Sequence, residues 1–379
     1  MTDQQYMAFA LQLAKNVSSQ TSPNPTVGAV VVNDGQIVGF GAHLKCGTEH
    51  AEVHALRMAG EKANGATIYV TLEPCSHFGK TPPCCNLLIE KKVKRVVIGA
   101  VDENPLVFGN GVKALKQAGI DVCVGVLEKE AKQLNRFFLH YMKTKRPFVT
   151  LKAAMSLDGK TATTLGESKW ITGEEARLNT HQYRNEYDAI LVGVNTILAD
   201  NPHLTTRLPN GGKNPIRIVL DTHLQTPLSS HIITDGVAQT LLIVGSEVEK
   251  EKIKQYESNT VSVLQMNTKQ IDIHKLLSLL GEKQILSLFV EGGQTVHASF
   301  IKANLFDEII TYISPTLIGG KNAPTWFGGD GFSHLRDALS LQIQTVEQCG
   351  EDIKIVAAPR KEVSSCSQEL SKNLEPLQI

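Results

Sequence analysis

The chain has 379 residues, which is too long for one small module and corresponds to two domains, with three as the upper limit. Hydrophobic residues make up 42% and charged residues 20%, an ordinary globular composition with enough apolar material for a core in each half. Lys plus Arg and Asp plus Glu both number 38, so the protein has no net charge that would attract nucleic acid.

The cysteine content and the hydropathy of the chain indicate in which cellular compartment the protein is expected. Seven cysteines are too few and too irregularly spaced for a disulfide framework, which favours a reducing environment. The first 17 residues lack the basic and unbroken apolar regions of a signal peptide, and no segment approaches 18 uninterrupted apolar residues. We therefore expect a cytoplasmic protein without a membrane partner.

The first part of the chain predicts an α/β sheet. Apolar residues from Met7 to Val17 recur at helical spacing behind a helix cap at Thr2 or Asp3. Strands over 27–32 and 36–41 flank the turn signal Asn33-Asp34-Gly35, which is typical of a hairpin. Helices over 50–62, 84–92 and 111–118 then alternate with strands over 66–72, 94–100 and 120–126. We assign residues 1–145 to this first domain.

A second alternation follows the basic segment Lys143-Thr144-Lys145-Arg146-Pro147, which we interpret as a connector. Strands are expected at 148–155, 188–193, 216–220, 240–244, 260–264, 286–291, 307–313 and 353–358. Helices are expected near 174–185, 247–256, 270–280 and 294–302. These elements predict a second α/β domain over 146–360, and the aperiodic polar segment 361–379 is expected to be a flexible tail.

A metal-ligand pattern lies in the first domain. His50-Ala51-Glu52 precedes Pro74-Cys75 and Cys84, and both groups lie where a strand or loop leads into a helix. One imidazole and two thiolates are the protein ligands of a catalytic zinc, whose fourth position holds water. Glu52 is then the general acid/base that shuttles protons from this water to a leaving ammonia, as in zinc nucleobase deaminases.

The spacing leaves alternatives open. General deaminases have two residues between the cysteines, whereas Ser76–Pro83 place eight between Cys75 and Cys84. Cys85 could replace Cys84, although Cys84 directly follows Pro82-Pro83 at the expected helix start. A zinc-protease helix is excluded because its glutamate follows the first histidine directly, and residue 51 is alanine.

Two other function classes compete with a small-molecule deaminase. A structural zinc site would need a fourth protein ligand, and His77 could supply it. A deaminase that edits nucleic acid would need basic patches and stacking aromatic residues, whereas the chain has zero net charge and 6% aromatic residues. We therefore favour a small-molecule substrate and no nucleic-acid partner.

The motifs together resemble one family. The segments 24–28, 50–52 and 74–84 in the first half, and 152–160, 168–171, 192–196, 200–202 and 291–293 in the second, are similar to the bifunctional riboflavin-biosynthesis deaminase/reductases of bacteria. The resemblance covers residues 1–360. It implies an N-terminal cytidine-deaminase-like three-layer α/β/α domain and a C-terminal α/β domain similar to dihydrofolate reductase.

The activity implied by this resemblance has two steps. The first domain would use zinc to deaminate 2,5-diamino-6-(5-phosphoribosylamino)pyrimidin-4(3H)-one. The second would use NADPH to reduce the ribosyl group, giving 5-amino-6-(5-phosphoribitylamino)uracil. A homodimer is the expected assembly.

The reductase site depends mainly on the resemblance, because the chain has no Gly-x-Gly-x-x-Gly fingerprint after a strand. The turn Glu291-Gly292-Gly293 could present a helix N-terminus to pyrophosphate, or it could be a plain strand-to-helix turn. The resemblance implies that NADPH contacts Ala154, Trp170, Thr196, Asp200, Thr222, Gly293, Gln294, Thr295, Val296, His297 and Ala298.

The remaining candidate residues concern the substrate and proton transfer. The resemblance implies substrate contacts at Asn24, His77, Lys80, Ser168, Arg184, Leu204, Arg207 and Glu291. A planar guanidinium suits a phosphate, although Arg184 could equally be a solvated helix residue. Lys152 and Asp200 are the candidate catalytic pair for the proton that accompanies hydride transfer, and either could instead be structural.

Overall fold

The structure is a computed structural model that describes residues 1–76, 82–104 and 108–360. His77, Lys80 and the segment 361–379 lie outside these residues. The described chain forms two separate β-sheets, one of five strands and one of nine. Both sheets have helices packed on them, so the protein is of the α/β class.

The protein begins with an amphipathic helix, α1 (Asp3–Lys15). The Thr2 hydroxyl accepts a hydrogen bond from the backbone N–H of Gln5, and the Gln5 side chain accepts one from the backbone of Thr2. This capping box identifies Thr2 as the helix cap rather than Asp3. The apolar face of α1 packs on the first sheet through Tyr6, Met7, Ala10 and Ala14.

The first sheet has the strand order β2-β1-β3-β4-β5. Its strands are β1 (Gly28–Asn33), β2 (Gln36–Ala42), β3 (Thr67–Leu72), β4 (Arg95–Ala100) and β5 (Asp121–Val124). The β1–β2 hairpin turns at Asp34 and Gly35, both with positive φ, as the Asn-Asp-Gly signal predicts. The strands β3, β4 and β5 run parallel, so their carboxyl ends meet at one edge.

Within the described residues of the first half, five further helices accompany this sheet. They are α2 (Ala51–Ala59), α3 (Cys84–Glu90), α4 (Asn110–Gln117), α5 (Glu128–Leu134) and α6 (Arg136–Thr144). The α2 helix is shorter than the sequence predicts, because a 3₁₀ turn over Gly60–Ala63 replaces its last residues. The sequence analysis missed α5 and α6. Since α6 continues to Thr144 and ends at Lys145, which has positive φ, the connector is shorter than the expected 143–147.

The second sheet has the strand order β10-β9-β8-β7-β11-β6-β12-β14-β13. Its strands are β6 (Phe148–Ser156), β7 (Ala189–Gly193), β8 (Ile216–Leu220), β9 (Thr240–Val244), β10 (Val261–Gln265), β11 (Ser287–Val290), β12 (Glu308–Ser314), β13 (Leu341–Cys349) and β14 (Asp352–Pro359). The strands from β10 through β12 pair in parallel, and β14 and β13 are antiparallel. The sequence analysis did not predict the edge strand β13.

Six helices lie in the described part of the second half, which ends at residue 360. They are α7 (Glu174–Glu186), α8 (Val194–Asp200), α9 (His231–Thr234), α10 (Lys250–Lys254), α11 (Ile273–Glu282) and α12 (Gln294–Lys302). The short helices α8 and α9 were not predicted, and α10 is shorter than the expected 247–256. Among the described residues, no helix has the length and apolarity needed to cross a membrane.

Each sheet has its own core, and a further cluster joins the two halves. In this cluster Leu286 of the second half packs with Phe138 and Leu139 of α6. An ion pair of 2.9 Å links Arg136 to Glu186 of α7. The broad apolar face of α6, from Phe137 to Met142, is covered at this junction of the two halves.

Candidate functional site

Three potential metal ligands from separate segments meet in the first half. His50 caps the N-terminus of α2, Cys75 follows β3, and Cys84 is the first residue of α3. The Nδ1 atom of His50 lies 3.3 Å from Sγ of Cys84 and 3.6 Å from Sγ of Cys75. All three ligand atoms lie within 4.8 Å of one another, a distance that one tetrahedral metal ion can span.

The two thiols of this group interact directly. A hydrogen bond from the Cys84 thiol, together with His50, overcomes the effect of burial and lowers the pKa of Cys75 to about 4. The same hydrogen bond and burial raise the pKa of Cys84. The backbone N–H of Cys84 also donates to Sγ of Cys75 over 3.3 Å. Without a cation one thiolate is therefore favoured, and a bound divalent metal would stabilise both.

The neighbouring Cys85 points elsewhere. Its buried thiol lies 3.3 Å from the carbonyl oxygen of Pro74 and 3.7 Å from that of Gly111. The structure thus brings Cys84, and not Cys85, to His50. Cys84 and Cys85 are adjacent in α3, so their thiols point in different directions.

Glu52 lies beside the three ligands but is not one of them. It occupies the first turn of α2, and only 3% of its surface is exposed. Burial raises the pKa of its carboxyl group, and the nearby Cys75 raises it further. A buried carboxyl group beside the potential metal ligands is placed to accept and donate protons, as a general acid/base requires.

His50, Glu52 and Cys75 line a cavity of about 340 Å³. The predicted substrate residue Asn24 also lines it, and its side-chain nitrogen lies 3.0 Å from Nε2 of His43. The sequence analysis missed His43, Asp102 and Asn104, which line the same cavity. No motif marks them, because His43 follows β2 and Asp102 follows β4, and the two reach the same cavity only in the folded chain.

The second candidate site lies at the carboxyl ends of the parallel strands in the larger sheet. Glu291 directly follows β11, whose last residue Val290 pairs with Leu151 of β6. This register places Glu291 beside Lys152, and Oε2 of Glu291 lies 3.6 Å from Nζ of Lys152. Ligands of open α/β sheets commonly bind at this edge.

Arg184 of α7 completes this group. Its Nε and one terminal nitrogen donate to the two Glu291 oxygens over 2.6 and 3.1 Å, and its other terminal nitrogen donates to the Thr205 carbonyl over 3.1 Å. Burial alone would raise the pKa of Glu291, but Arg184 and Lys152 lower it to about 2. The Arg184 side chain is therefore largely buried and paired with Glu291, and it is not a solvated helix residue.

The predicted cofactor residues are distributed around the same edge. Ala154 lies in β6, Thr196 in α8, Thr222 just after β8, and Gly293 caps the N-terminus of α12. A Cβ atom at Gly293 would meet no heavy atom within 4 Å. The free space at this helix N-terminus leaves room for an anionic group.

The other predicted cofactor and substrate residues differ from one another in burial and in hydrogen-bond partners. The ring of His297 is buried, with Nδ1 2.9 Å from the carbonyl oxygen of Trp326. Leu204 belongs to a hydrophobic core cluster, whereas Trp170 is 67% exposed. Asp200 pairs with Lys169 at 3.5 Å, whereas Lys152 pairs with Glu291. Ser168 and Arg207 lie in loops, and the backbone of Arg207 donates to His181.

Comparisons with known proteins cover both halves. Residues 1–100 match the cytidine and deoxycytidylate deaminase zinc-binding region, and residues 147–355 match the RibD C-terminal domain. The riboflavin biosynthesis protein RibD of Bacillus amyloliquefaciens is 50% identical over 358 residues, which cover 94% of this chain and 96% of the relative.

Two solved structures share the whole architecture. Acinetobacter baumannii RibD superimposes with a TM-score of 0.85 at 40% identity, over 95% of this chain and 99% of that one. The deaminase/reductase of Thermotoga maritima has a TM-score of 0.85 at 37% identity, over 94% of this chain and 99% of that one. The chain therefore belongs to the RibD family of bifunctional riboflavin-biosynthesis enzymes, with a cytidine-deaminase-like domain followed by a reductase domain.

Proposed function

We propose that the first half deaminates 2,5-diamino-6-(5-phosphoribosylamino)pyrimidin-4(3H)-one and that the second half reduces the deaminated product with NADPH. The observation that carries the deaminase assignment is the buried Glu52 beside the group of His50, Cys75 and Cys84, at a cavity that Glu52, His50 and Cys75 line. The observation that supports the reductase assignment is the group of Lys152, Glu291 and Arg184 at the carboxyl edge of the larger sheet.

The nitrogen and two sulfur donors of His50, Cys75 and Cys84 are those of a catalytic zinc site. These three residues would hold zinc, which would supply a Lewis acid that lowers the pKa of the attacking water. The Glu52 carboxylate accepts a proton from this water and then donates it to the departing nitrogen. The new C–O bond replaces the C–N bond, and ammonia leaves.

The second half requires a hydride donor and a proton donor. NADPH supplies the hydride to the sugar carbon. The Lys152 ammonium group orients the sugar oxygen and supplies a proton to it, and Glu291 holds Lys152 in place. Asp200 is the alternative proton donor. Arg184, or Arg207 on the adjacent loop, binds the substrate phosphate.

The proposed cofactor position uses the N-terminus of α12. The backbone of Gly293, Gln294 and Thr295 at this end favours negative charge through the helix dipole. Thr196 and Thr222 follow the neighbouring strands β7 and β8, at positions suited to the rest of the dinucleotide. Of the expected contacts in 293–298, the buried His297 would support the helix rather than reach the cofactor.

The separate cores and the exposed edge strand bear on the domain boundaries and on the oligomeric state of the protein. We assign residues 1–145 to the deaminase domain and 146–360 to the reductase domain, since the two sheets have separate cores. A homodimer is supported by the edge strand β13, on which Ile343 and Val346 are 60% and 61% exposed. Light scattering of the purified protein tests the assembly.

The two activities can be tested separately. Ammonia release from the diaminopyrimidine substrate measures the first step, and oxidation of NADPH with the deaminated compound measures the second. Removal of zinc by a chelator should abolish ammonia release and leave NADPH oxidation unchanged. Ammonia release that persists in zinc-free protein would contradict the proposed deaminase.

A further inference from the structure

One residue in the wall of the deaminase cavity comes from the second half of the protein. Phe138, Tyr141 and Met142 of α6 line the cavity next to the residues of the metal site. Among the described residues that line it, Gln284 alone comes from the second half. This residue follows α11, more than 130 positions from the rest of the lining.

The backbone at Gln284 has an unusual conformation. Its φ is +59°, and its N–H donates to the carbonyl oxygen of Gly281 over 2.8 Å. The N–H of Ile285 donates to Leu280 over 3.1 Å, which completes the end of α11. Glycine or asparagine is the usual residue at such a left-handed position. The turn itself therefore does not require the glutamine side chain.

The end of α11 is held against α6. The Tyr141 hydroxyl donates to the Gly281 carbonyl over 3.0 Å. A Cβ atom at Gly281 would lie 2.0 Å from the carbonyl oxygen of Lys145, so the two backbones are in direct contact. Gln284 thus has a defined position relative to the α6 wall of the cavity.

We infer that Gln284 is a substrate-binding residue of the deaminase site and that its amide hydrogen-bonds the phosphoribosyl part of the substrate. The inference rests on the proposed function. The metal site consists entirely of residues from the first half, and the reacting amine must lie there. Gln284 is instead an exposed residue that lines the cavity three positions after Gly281, whose carbonyl binds Tyr141. The substrate must extend away from the metal, and an amide can both donate to and accept from its hydroxyl groups.

Two substitutions in the full-length protein test this inference. Gln284→Gly removes the side chain and suits the positive φ, so it should leave the fold intact. Gln284→Asn also tolerates this φ and keeps a shorter amide. Lys283→Ala is the matched control, because Lys283 is exposed and does not line the cavity.

We expect the KM for ammonia release to rise about three- to tenfold in Gln284→Gly, the effect of one lost neutral hydrogen bond. The kcat for this step and the reduction of the deaminated compound should not change. Gln284→Asn should give a smaller rise, and Lys283→Ala none. An unchanged KM in Gln284→Gly, or an equal loss of both activities, would overturn the inference. The wild-type protein is assayed for both steps in the same experiment. If it catalyses both, an unchanged KM in Gln284→Gly contradicts only the role of Gln284 and not the proposed function.

Discussion

Nζ of Lys152 lies 3.6 Å from Oε2 of Glu291, and both side chains are largely buried. Arg184 binds the same carboxylate, so two cations share one anion at this edge of the sheet. Burial lowers the pKa of Lys152, Glu291 opposes this effect, and Arg184 adds to it. A group with one surplus positive charge is suited to an anionic substrate.

This relationship predicts the pH dependence of reduction. If the Lys152 ammonium group is required, kcat falls as pH rises through its lowered pKa, below the usual 10.5. Glu291→Gln removes the carboxylate that raises this pKa, so the alkaline limb should move to lower pH. Lys152→Ala should reduce kcat by about 10²- to 10⁴-fold. Steady-state NADPH oxidation measured across a range of pH reports both effects. Wild-type turnover by Lys152→Ala would contradict the role of Lys152 and leave Asp200 or water as the proton donor.

The metal ligands are tested by a pair of adjacent cysteines. Cys75→Ser should lose zinc and ammonia release, because a neutral hydroxyl is a poor zinc ligand. Cys85→Ser should retain one zinc per chain, since that thiol faces Pro74 and Gly111. Metal analysis of both purified variants provides the readout. Equal zinc loss in the two variants would contradict the ligand assignment.

A substitution at Gly293 tests the cofactor position. Gly293→Val adds a side chain into open space, and the φ of −74° is one that any residue adopts. We expect unchanged thermal stability and an increase of one or more orders of magnitude in the NADPH dissociation constant, about 1.4 kcal/mol per tenfold.

The neighbouring glycine provides a contrast. A Cβ atom at Gly292 would lie 2.6 Å from Val296, so Gly292→Ala should lower the melting temperature. Fluorescence titration of NADPH and thermal unfolding distinguish the two variants. Wild-type NADPH affinity in Gly293→Val would place the cofactor elsewhere.

The proposed domain boundary predicts the behaviour of a fragment that ends at Lys145. The fragment contains the first sheet with its core and all three metal ligands, so it should fold and bind zinc. It lacks Leu286, which covers Phe138 and Leu139, and should therefore unfold at a lower temperature than the full chain. A fragment that is insoluble or free of zinc would instead indicate a core shared between the halves.

Elements with their own periodicity could be predicted from the sequence, and elements defined by their neighbours could not. The β1–β2 hairpin and α1 have local signals in the Asn33-Asp34-Gly35 turn and the Thr2 cap. The α6 helix is amphipathic, but no cap motif marks its start, because Asn135 lies between α5 and α6 and its side chain binds the Thr26 backbone instead. The strand β13 is exposed along most of its length, so burial leaves no alternating pattern in its sequence.

The same distinction applies to the sites. The motif residues His50, Glu52, Cys75 and Cys84 were found because each motif is short and its chemistry is specific. His43 and Gln284 carry no motif and reach the cavity only through the tertiary fold. The pairing of Lys152 with Glu291 depends on strand register, which the sequence alone did not define.

The central claim is that two separate sites act one after the other on the same substrate. Its most direct test is a measurement of NADPH oxidation by the variant Glu52→Gln. This variant keeps the three metal ligands but lacks the carboxylate that moves protons. With the undeaminated substrate it should retain zinc and oxidise no NADPH, and with the deaminated compound it should oxidise NADPH at the wild-type rate. Oxidation of NADPH with the undeaminated substrate, or loss of activity with the deaminated compound, would contradict the account.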